Sequence, residues 1–318
     1  MVIFMVFILA ALTVTCERGQ KAEEKKVIAV CMQGNQTGFI SYQVAAMHEY
    51  LKNNGIDDIT LKFVYADDDA VRQQSQVEQF VSEGVDCIIL GPVDFLQSAT
   101  AIDYAIDNGF PIITLANRSS SNRATGHAGS NDLFSGTTQM EMLIDAGVKN
   151  VAYITAVLGH SVQISREQGY KDVLAKNPNI RLVVQNTADW SADKALQLVE
   201  NWLQTYPGQI EGIAANSDSL LKGAITAIEN AGLSGKILLS GVGGDMLVLE
   251  KIKEGVAFHT MWKDGLVEGE WALRLAIDVV NGKPIQDVDV PFGNVTKENV
   301  DEFIRRTIER DELAAKYF

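Results

Sequence analysis

Basic residues are in short supply: 27 lysines and arginines stand against 41 acidic residues, for a net charge of -14. No basic tract offsets this, so the charge repels nucleic acid and anionic membrane surfaces and disfavours DNA binding. Cysteine is scarce as well, with only Cys16, Cys31 and Cys87. Neither Cys31 nor Cys87 sits in a CxxC pair or beside a histidine, and both fall in apolar strand-like runs, so both read as buried free thiols. The four histidines, His48, His127, His160 and His259, are scattered without metal-ligand spacing, and neither GxSxG nor HExxH occurs. No catalytic constellation emerges, and neither an enzyme, a metal nor a cofactor is expected. Long apolar runs are missing too: the uninterrupted stretch over residues 1–12 is too short to span a bilayer.

That stretch has the length of an export-signal core, and Thr13-Val-Thr-Cys16 follows it. Small or β-branched residues ahead of a cysteine resemble the lipobox of bacterial lipoproteins. Two features depart from the pattern: no Lys or Arg precedes the apolar run, and Leu12 stands one position early. The expectation is a signal peptide over residues 1–15, lipidation of Cys16, and a polar spacer over 16–26 (ERGQKAEEKK from Glu17) that tethers a folded domain to the membrane. An ordinary signal peptide is the plainer alternative.

The remaining chain alternates strand and helix. Asp86 to Leu90, closed by Gly91-Pro92, reads as a strand buried on both faces. A helix is predicted from Asp94 through Phe95, Ala99, Ile102 and Ile106, ending at Gly109, before a second buried strand over Pro111 to Leu115. So short a crossover implies parallel pairing, and open parallel sheets bind ligands at the carboxyl ends of their strands, where Asn117-Arg118 lies. Strands at Val27 to Met32 and Leu61 to Tyr65, with helices after each, lead into this unit. Beyond Gly126 to Asn131, read as a crossing segment, the alternation restarts with strands at Val151 to Thr155, Arg181 to Gln185, Gly212 to Ala215 and Lys236 to Val242. The expected fold is α/β, two doubly wound parallel-sheet domains with a cleft between them.

The runs GVDCIILGP, GFPIITLANR, SREQGY, TADWSADKALQLVENWL, ANSDSLLKGA and GVGGDMLVLEKIKEG, in this order and spacing, resemble the periplasmic sugar-binding proteins of ABC importers. The likeness is to the ribose- and galactose-binding type, whose core is shared with LacI-type regulators, and it covers nearly everything after residue 26. It implies a type I periplasmic binding protein with a three-segment hinge crossing near Asn131-Asp132, Trp262-Lys263 and Val290-Pro291. The implied domains are 27–131 plus 263–290 and 132–262 plus 291–318. The implied protein is a monomeric, extracytoplasmic lipoprotein that captures a small carbohydrate-like solute and presents it to an ABC permease. A receptor feeding a membrane sensor kinase is the alternative. A regulator would need a DNA-binding segment ahead of Val27, and the dehydrogenase reading of Gly241-Val-Gly-Gly244 fails for want of a third glycine at Met246.

Carried over residue by residue, the resemblance makes Phe39 and Trp190 aromatic platforms for a sugar ring, against a structural alternative in which each packs in the core. It makes Arg118 and Arg166 ligand arginines, and places Asn117 where the ribose-binding branch has an aspartate, with Ala116 as an extra residue. Asn216 and Ser217 both compete for the family's ligand asparagine: helix alignment favours Ser217, chemistry Asn216. Gly243 stands at a second acidic position, with Asp245 two residues on, and Lys263 replaces the usual glutamine. Three cations with the acidic positions vacated point to an anionic ligand, a sugar acid or sugar phosphate; Lys263 turning to solvent or pairing with Asp94, Asp245 or Asp264 is the competing account.

Overall fold

The computed structural model describes residues 25–36 and 38–318; Cys16, the apolar segment and most of the spacer lie outside the described residues. Lys26, read above as the end of the spacer, already belongs to the first strand. Its amide donates to the Asp58 carbonyl (2.9 Å) and its ammonium to the Val280 carbonyl (3.0 Å) and Asn281 Oδ1 (2.6 Å).

The first half runs β1 (Lys26–Met32), α1 (Phe39–Asn53), β2 (Ile59–Tyr65), α2 (Ala70–Glu83), β3 (Cys87–Leu90), α3 (Ser98–Asp107), β4 (Ile112–Leu115) and β5 (Gly126–Gly129). The second runs α4 (Asp132–Asp145), β6 (Asn150–Thr155), α5 (Ser161–Lys176), β7 (Arg181–Thr187), α6 (Ala192–Thr205), β8 (Gly212–Ala215), α7 (Asp218–Asn230), β9 (Leu238–Gly243), α8 (Met246–Glu254) and β10 (His259–Trp262). The chain then returns through α9 (Gly265–Val280) and β11 (Val288–Asp289), and ends with β12 (Gly293–Val295) and α10 (Val300–Ala314).

Two six-stranded sheets result, ordered β11-β5-β4-β3-β1-β2 and β12-β10-β9-β8-β6-β7. Every pairing is parallel except β10 with β12. Helix α9 packs back on β3, β4, β5 and α1, whereas α4 packs on α5, β8, β9 and β10. Each sheet with its covering helices forms one lobe, and the chain passes between the lobes at residues 130–131, 263–264 and 290–292.

Continuous apolar strands follow from this layering. In β1, Ile28, Val30 and Met32 face the core under α1 and α9, while Ala29 and Cys31 face the core under α2 and α3. Both faces being dry, a strict alternation of polar and apolar residues would be penalised, and each buried Ile, Leu or Val contributes ~1.5–3 kcal/mol. Cys31 and Cys87 are free and buried, and burial pushes both thiols up to about 12.

Two local expectations are corrected. Helix α3 begins at Ser98 rather than beside Asp94: Asp94 Oδ1 accepts from the Leu96 and Gln97 amides in a turn, and the Phe95 amide reaches the Gly159 carbonyl of the other lobe (2.8 Å). Residues 126–129, read as part of a crossing, instead form β5, paired on one side with β4 and on the other with β11, and the crossing is confined to 130–131.

The two lobes share a further device. His127 on β5 bonds through Nδ1 to Thr114 Oγ1 on β4 (2.9 Å), and His259 on β10 bonds through Nδ1 to Ser240 Oγ on β9 (2.8 Å). Each imidazole ties the strand that leads into a crossing to its neighbour. Burial is the main cause lowering both rings, His127 to about 3, where Arg118 and Lys263 add to it, and His259 to about 4. In the unfolded chain both protonate near 6.5, so their contribution is complete above that pH and is lost as pH falls toward the folded values. Between pH 7 and pH 4.5, urea unfolding should show the wild type losing about 2 to 3 kcal/mol more stability than a His259→Gln variant. Equal losses would mean that His259 protonates freely in the folded protein.

Candidate functional site

Parallel sheets send all their carboxyl-terminal loops to one edge, and here the two edges face each other. The mouth between them is shut by the Phe95 amide on the Gly159 carbonyl and by the Arg118 amide on Ser161 Oγ, both 2.8 Å. Among the described residues, five other than glycine have positive φ, between 49° and 60°: Asp67, Asp68, Ala116, Asp189 and Trp190. All lie just past the ends of β2, β4 and β7. Left-handed backbone at such residues is costly and collects at ligand-handling loops, so its confinement to the cleft marks the functional edge.

At the centre lies a buried charge cluster. Arg166, on α5, donates from Nε (2.8 Å) and Nη2 (2.6 Å) to Asp132 Oδ1, and from Nη1 to the Asn216 carbonyl (2.6 Å). Lys263, in the second crossing, lies 3.4 Å from both Asp132 Oδ2 and Glu268 Oε1. Glu268, on α9, also accepts from Ser130 Oγ (2.8 Å) and Gln43 Nε2 (3.1 Å). Exposure is 5% for Arg166 and Lys263, 7% for Asp132 and 0% for Glu268, so both cations are withdrawn from water and both have carboxylate partners. Burial pushes the Glu268 carboxyl upward, with the Lys263 ammonium pulling it back. The Lys263 ammonium also sits over the rings of Phe39 (5.4 Å) and Phe292 (5.8 Å). Gly265 makes room for Phe39, since a Cβ there would stand 3.0 Å from the ring.

The sequence-derived residues divide into two groups. Phe39, Arg166, Asn216 and Lys263 meet in or against this cluster. Asn216 is fully buried, donating from Nδ2 to Tyr153 Oη (3.1 Å), while its Oδ1 has no partner. Asn117 is buried and donates to the Pro92 carbonyl (2.7 Å). Trp190 is half-buried and packs against the core of the second lobe, the structural alternative named above, with its ring 5.8 Å from His160. The others are occupied elsewhere. Arg118 is exposed, 3.7 Å from Asp287. Ser217 caps α7 and bonds to Ser219 Oγ (2.6 Å); Asp245 caps α8 and pairs with Lys222 (2.7 Å). Sequence reasoning missed Asp132 and Glu268 as members. Asp132 carried the signal of a crossing residue, whereas Glu268 lies in a helix that had no assigned role.

The glycine loop of residues 241–244 binds its own chain. The Gly244 and Asp245 amides donate to Asp218 Oδ2 (2.6 and 2.9 Å), and Thr260 Oγ1 donates to Oδ1 (2.8 Å). A Cβ at Gly241 would stand 2.1 Å from Asp218 Oδ1, so the glycine serves close approach of a carboxylate, not of a cofactor phosphate. Beside the charged cluster, a cavity of about 350 Å³ opens between the lobes, lined by Arg118, Ser130, Asp132, Ser161, Ser165 and Asp289 among others.

Residues 28–284 match the family described as the periplasmic binding protein domain. The chain belongs to that family. The xylitol-binding protein of Mycolicibacterium smegmatis is 30% identical over 277 residues, 86% of this binding protein and 78% of that relative. An ABC transporter solute binding protein from Bacillus halodurans, solved with bound myo-inositol, is 31% identical with a TM-score of 0.84, covering 90% of this chain and 99% of that one. A periplasmic solute binding protein from Actinobacillus succinogenes, solved with bound D-allose, is 28% identical with a TM-score of 0.78, covering 87% and 100%. Two mostly parallel α/β lobes with three crossings are thus the architecture of this binding protein and of its structural neighbours.

Asp132 is the carboxylate shared by both cations of the cluster: removing its charge leaves Arg166 with no carboxylate partner among the described residues and Lys263 with Glu268 alone. Asp132→Asn should lower the unfolding free energy by ~3–5 kcal/mol, whereas Asp287→Asn, whose partner Arg118 is exposed, should cost under ~1 kcal/mol. Urea titration of the three proteins checks the contrast; similar small losses in both variants would show that the cluster is hydrated.

Proposed function

We propose that this binding protein is the extracytoplasmic receptor of an ABC importer, closing its two lobes on a neutral polyhydroxylated solute: a cyclitol, a polyol or a sugar. The observation that carries the reading is charge balance. The count of Arg118, Arg166 and Lys263 that pointed to an anion omits Asp132 and Glu268, which pair Arg166 and Lys263, and Arg118 faces solvent beside Asp287. An added anion would meet no unpaired buried cation, and would have to lose its own hydration. Hydroxyl groups suit the site better: Asn216 Oδ1, just past β8, and Gln33 Oε1, just past β1, are buried acceptors without donors among the described residues. A solute O–H satisfies such an oxygen; a phosphate oxygen does not.

In this reading Phe39 and Trp190 offer ring faces to the C–H side of the solute, and Asn117, Arg166, Asn216 and Lys263 fix its hydroxyls, with Arg118 on the wall of the cavity between the lobes and Ser217 and Asp245 further out. The lobes follow the boundaries 27–131 plus 263–290 and 132–262 plus 291–318, the protein acts as a monomer without cofactor or catalytic step, and the permease receives the solute from the closed form. The names of the relatives support this choice, since xylitol, myo-inositol and D-allose are all uncharged and polyhydroxylated.

Isothermal titration with myo-inositol, xylitol, D-allose and an inositol phosphate tests the reading. At least one neutral compound should bind and raise Tm, and Trp190→Ala should weaken that binding by ~1–3 kcal/mol. Binding of the phosphate alone would overturn the neutral-solute reading, and unchanged affinity in the variant would return Trp190 to a packing role.

Lipid anchoring through Cys16 belongs to the same proposal. Fractionation of exporting cells should place the wild type with membranes and Cys16→Ala in the soluble fraction. A wild type that is freely soluble after export would remove the anchor from the proposal.

A further inference from the structure

The last helix is rooted in one lobe and ends on the other. Val300 and Phe303 belong to the hydrophobic core under β6 and β8, Ile304 packs against it, and α10 contacts α8. Its final turns lie on α1. The Arg310 guanidinium stands 4.1 Å from the Tyr42 ring centre, while Nη2 donates to the Gly244 carbonyl of the second lobe (3.0 Å). Beyond the helix, the Tyr317 ring stacks on His48, with centroids 5.3 Å apart and planes at 14°, and its hydroxyl donates to the Glu49 carboxylate (2.5 Å). Leu313 completes one end of a groove of about 590 Å³ whose other walls include Ala46 and Tyr50 of α1 and Leu266 of α9.

None of these contacts touches the cavity or the charge cluster. They join the lobes outside the three covalent crossings, in the arrangement whose mouth is shut by the Phe95–Gly159 bond. From Phe303 to Ala314 the helix spans roughly 16 Å, long enough that its two ends report on different bodies. A rotation of one lobe about residues 130–131, 263–264 and 290–292 moves the seat of Phe303 in the second lobe relative to the α1 surface on which Tyr317 rests.

We propose that residues 310–317 form a strap latching the lobes in the shut arrangement, so that the Tyr317 contacts with His48 and Glu49 set the ratio of open to shut protein before any solute arrives. Contacts made in one state only shift a two-state equilibrium by their full differential energy, and they raise the apparent affinity for any ligand that requires that state. The strap would therefore tune solute affinity from a surface that the solute never meets.

The test uses the full chain without ligand, in a Cys16→Ser background, with spin labels at Gln79→Cys on α2 and Glu200→Cys on α6, both exposed positions. Cys31 and Cys87 are buried and escape labelling. Pulsed electron–electron distance measurement should show the open-to-shut ratio rising about ten-fold in Tyr317→Ala and about three-fold in Tyr317→Phe, which keeps the stack and loses the hydroxyl. Circular dichroism confirms the fold of each variant, and Tyr317→Phe decides the matter should Tyr317→Ala fail to fold. Unchanged distance distributions in a folded variant overturn the proposal, including the case in which Tm alone falls, since that outcome makes the tail a stabilising cover and not a latch. No solute enters the measurement, so its failure is independent of the neutral-solute reading.

Discussion

Burying a cation costs several kcal/mol unless a carboxylate is buried with it, and the centre of this molecule is built around that constraint. Lys263 and Arg166 are both withdrawn from water. Their counter-charges come from opposite bodies: Asp132 opens the first helix of the second lobe, and Glu268 lies on the helix that covers the first. Lys263 itself belongs to the crossing between them. The pairing therefore fixes more than a local geometry, because it sets how α4, α5 and α9 can approach the crossings. Ser130 and Gln43, both bonded to Glu268, extend the same network to β5 and α1. Removing Asp132 would leave Arg166 without a carboxylate among the described residues, and removing Lys263 would leave Glu268 without a cation, so these pairings constrain the hinge together.

Around that centre, the fold converts a topological fact into a site. Of the twelve strands among the described residues, the eleven in parallel ladders deliver their carboxyl-terminal ends to the edges that face each other. The strain follows: Ala116 takes a left-handed conformation past β4, which lets the Asn117 amide turn back to the Leu115 carbonyl (2.6 Å) and sends its side chain to the Pro92 carbonyl. The residue that looks superfluous in the sequence is thus the one that makes the turn. Asp218 plays the corresponding part in the second lobe. By filling the amide nest of residues 244–245 it holds the loop after β9, and burial pushes its carboxyl up to about 6 even with three donors.

How much of this the sequence revealed depends on the range of the interactions. Buried strands were legible because a strand dry on both faces writes its burial into consecutive residues, as in Cys87-Ile-Ile-Leu90. The charge cluster was not. Asp132 and Lys263 are 131 positions apart, and nothing local distinguishes a glutamate on α9 that bonds a buried lysine from one that faces water. Counting cations without their distant partners produced a surplus that the fold cancels. The start of α3 was misplaced for a similar reason: the Phe95 amide is used by a carbonyl of the other lobe, which no periodicity records.

The cancellation changes what kind of discrimination the cleft can exercise. An uncompensated cation would select by net charge, a long-range property that ignores the arrangement of hydroxyls. With the buried cations paired, the remaining polar demands are directional and short-ranged, as at Asn216 Oδ1 and Gln33 Oε1. An acceptor left without a donor costs ~1–3 kcal/mol, which is roughly a ten- to hundred-fold penalty against a solute lacking the matching hydroxyl. Under the proposed function, ring faces at Phe39 and Trp190 would add attraction that depends little on stereochemistry, leaving selectivity to the orphan acceptors. The proposed site would therefore tell one polyol from another by where hydroxyls point, and only when the lobes are shut, because an open cleft would let water satisfy the same oxygens.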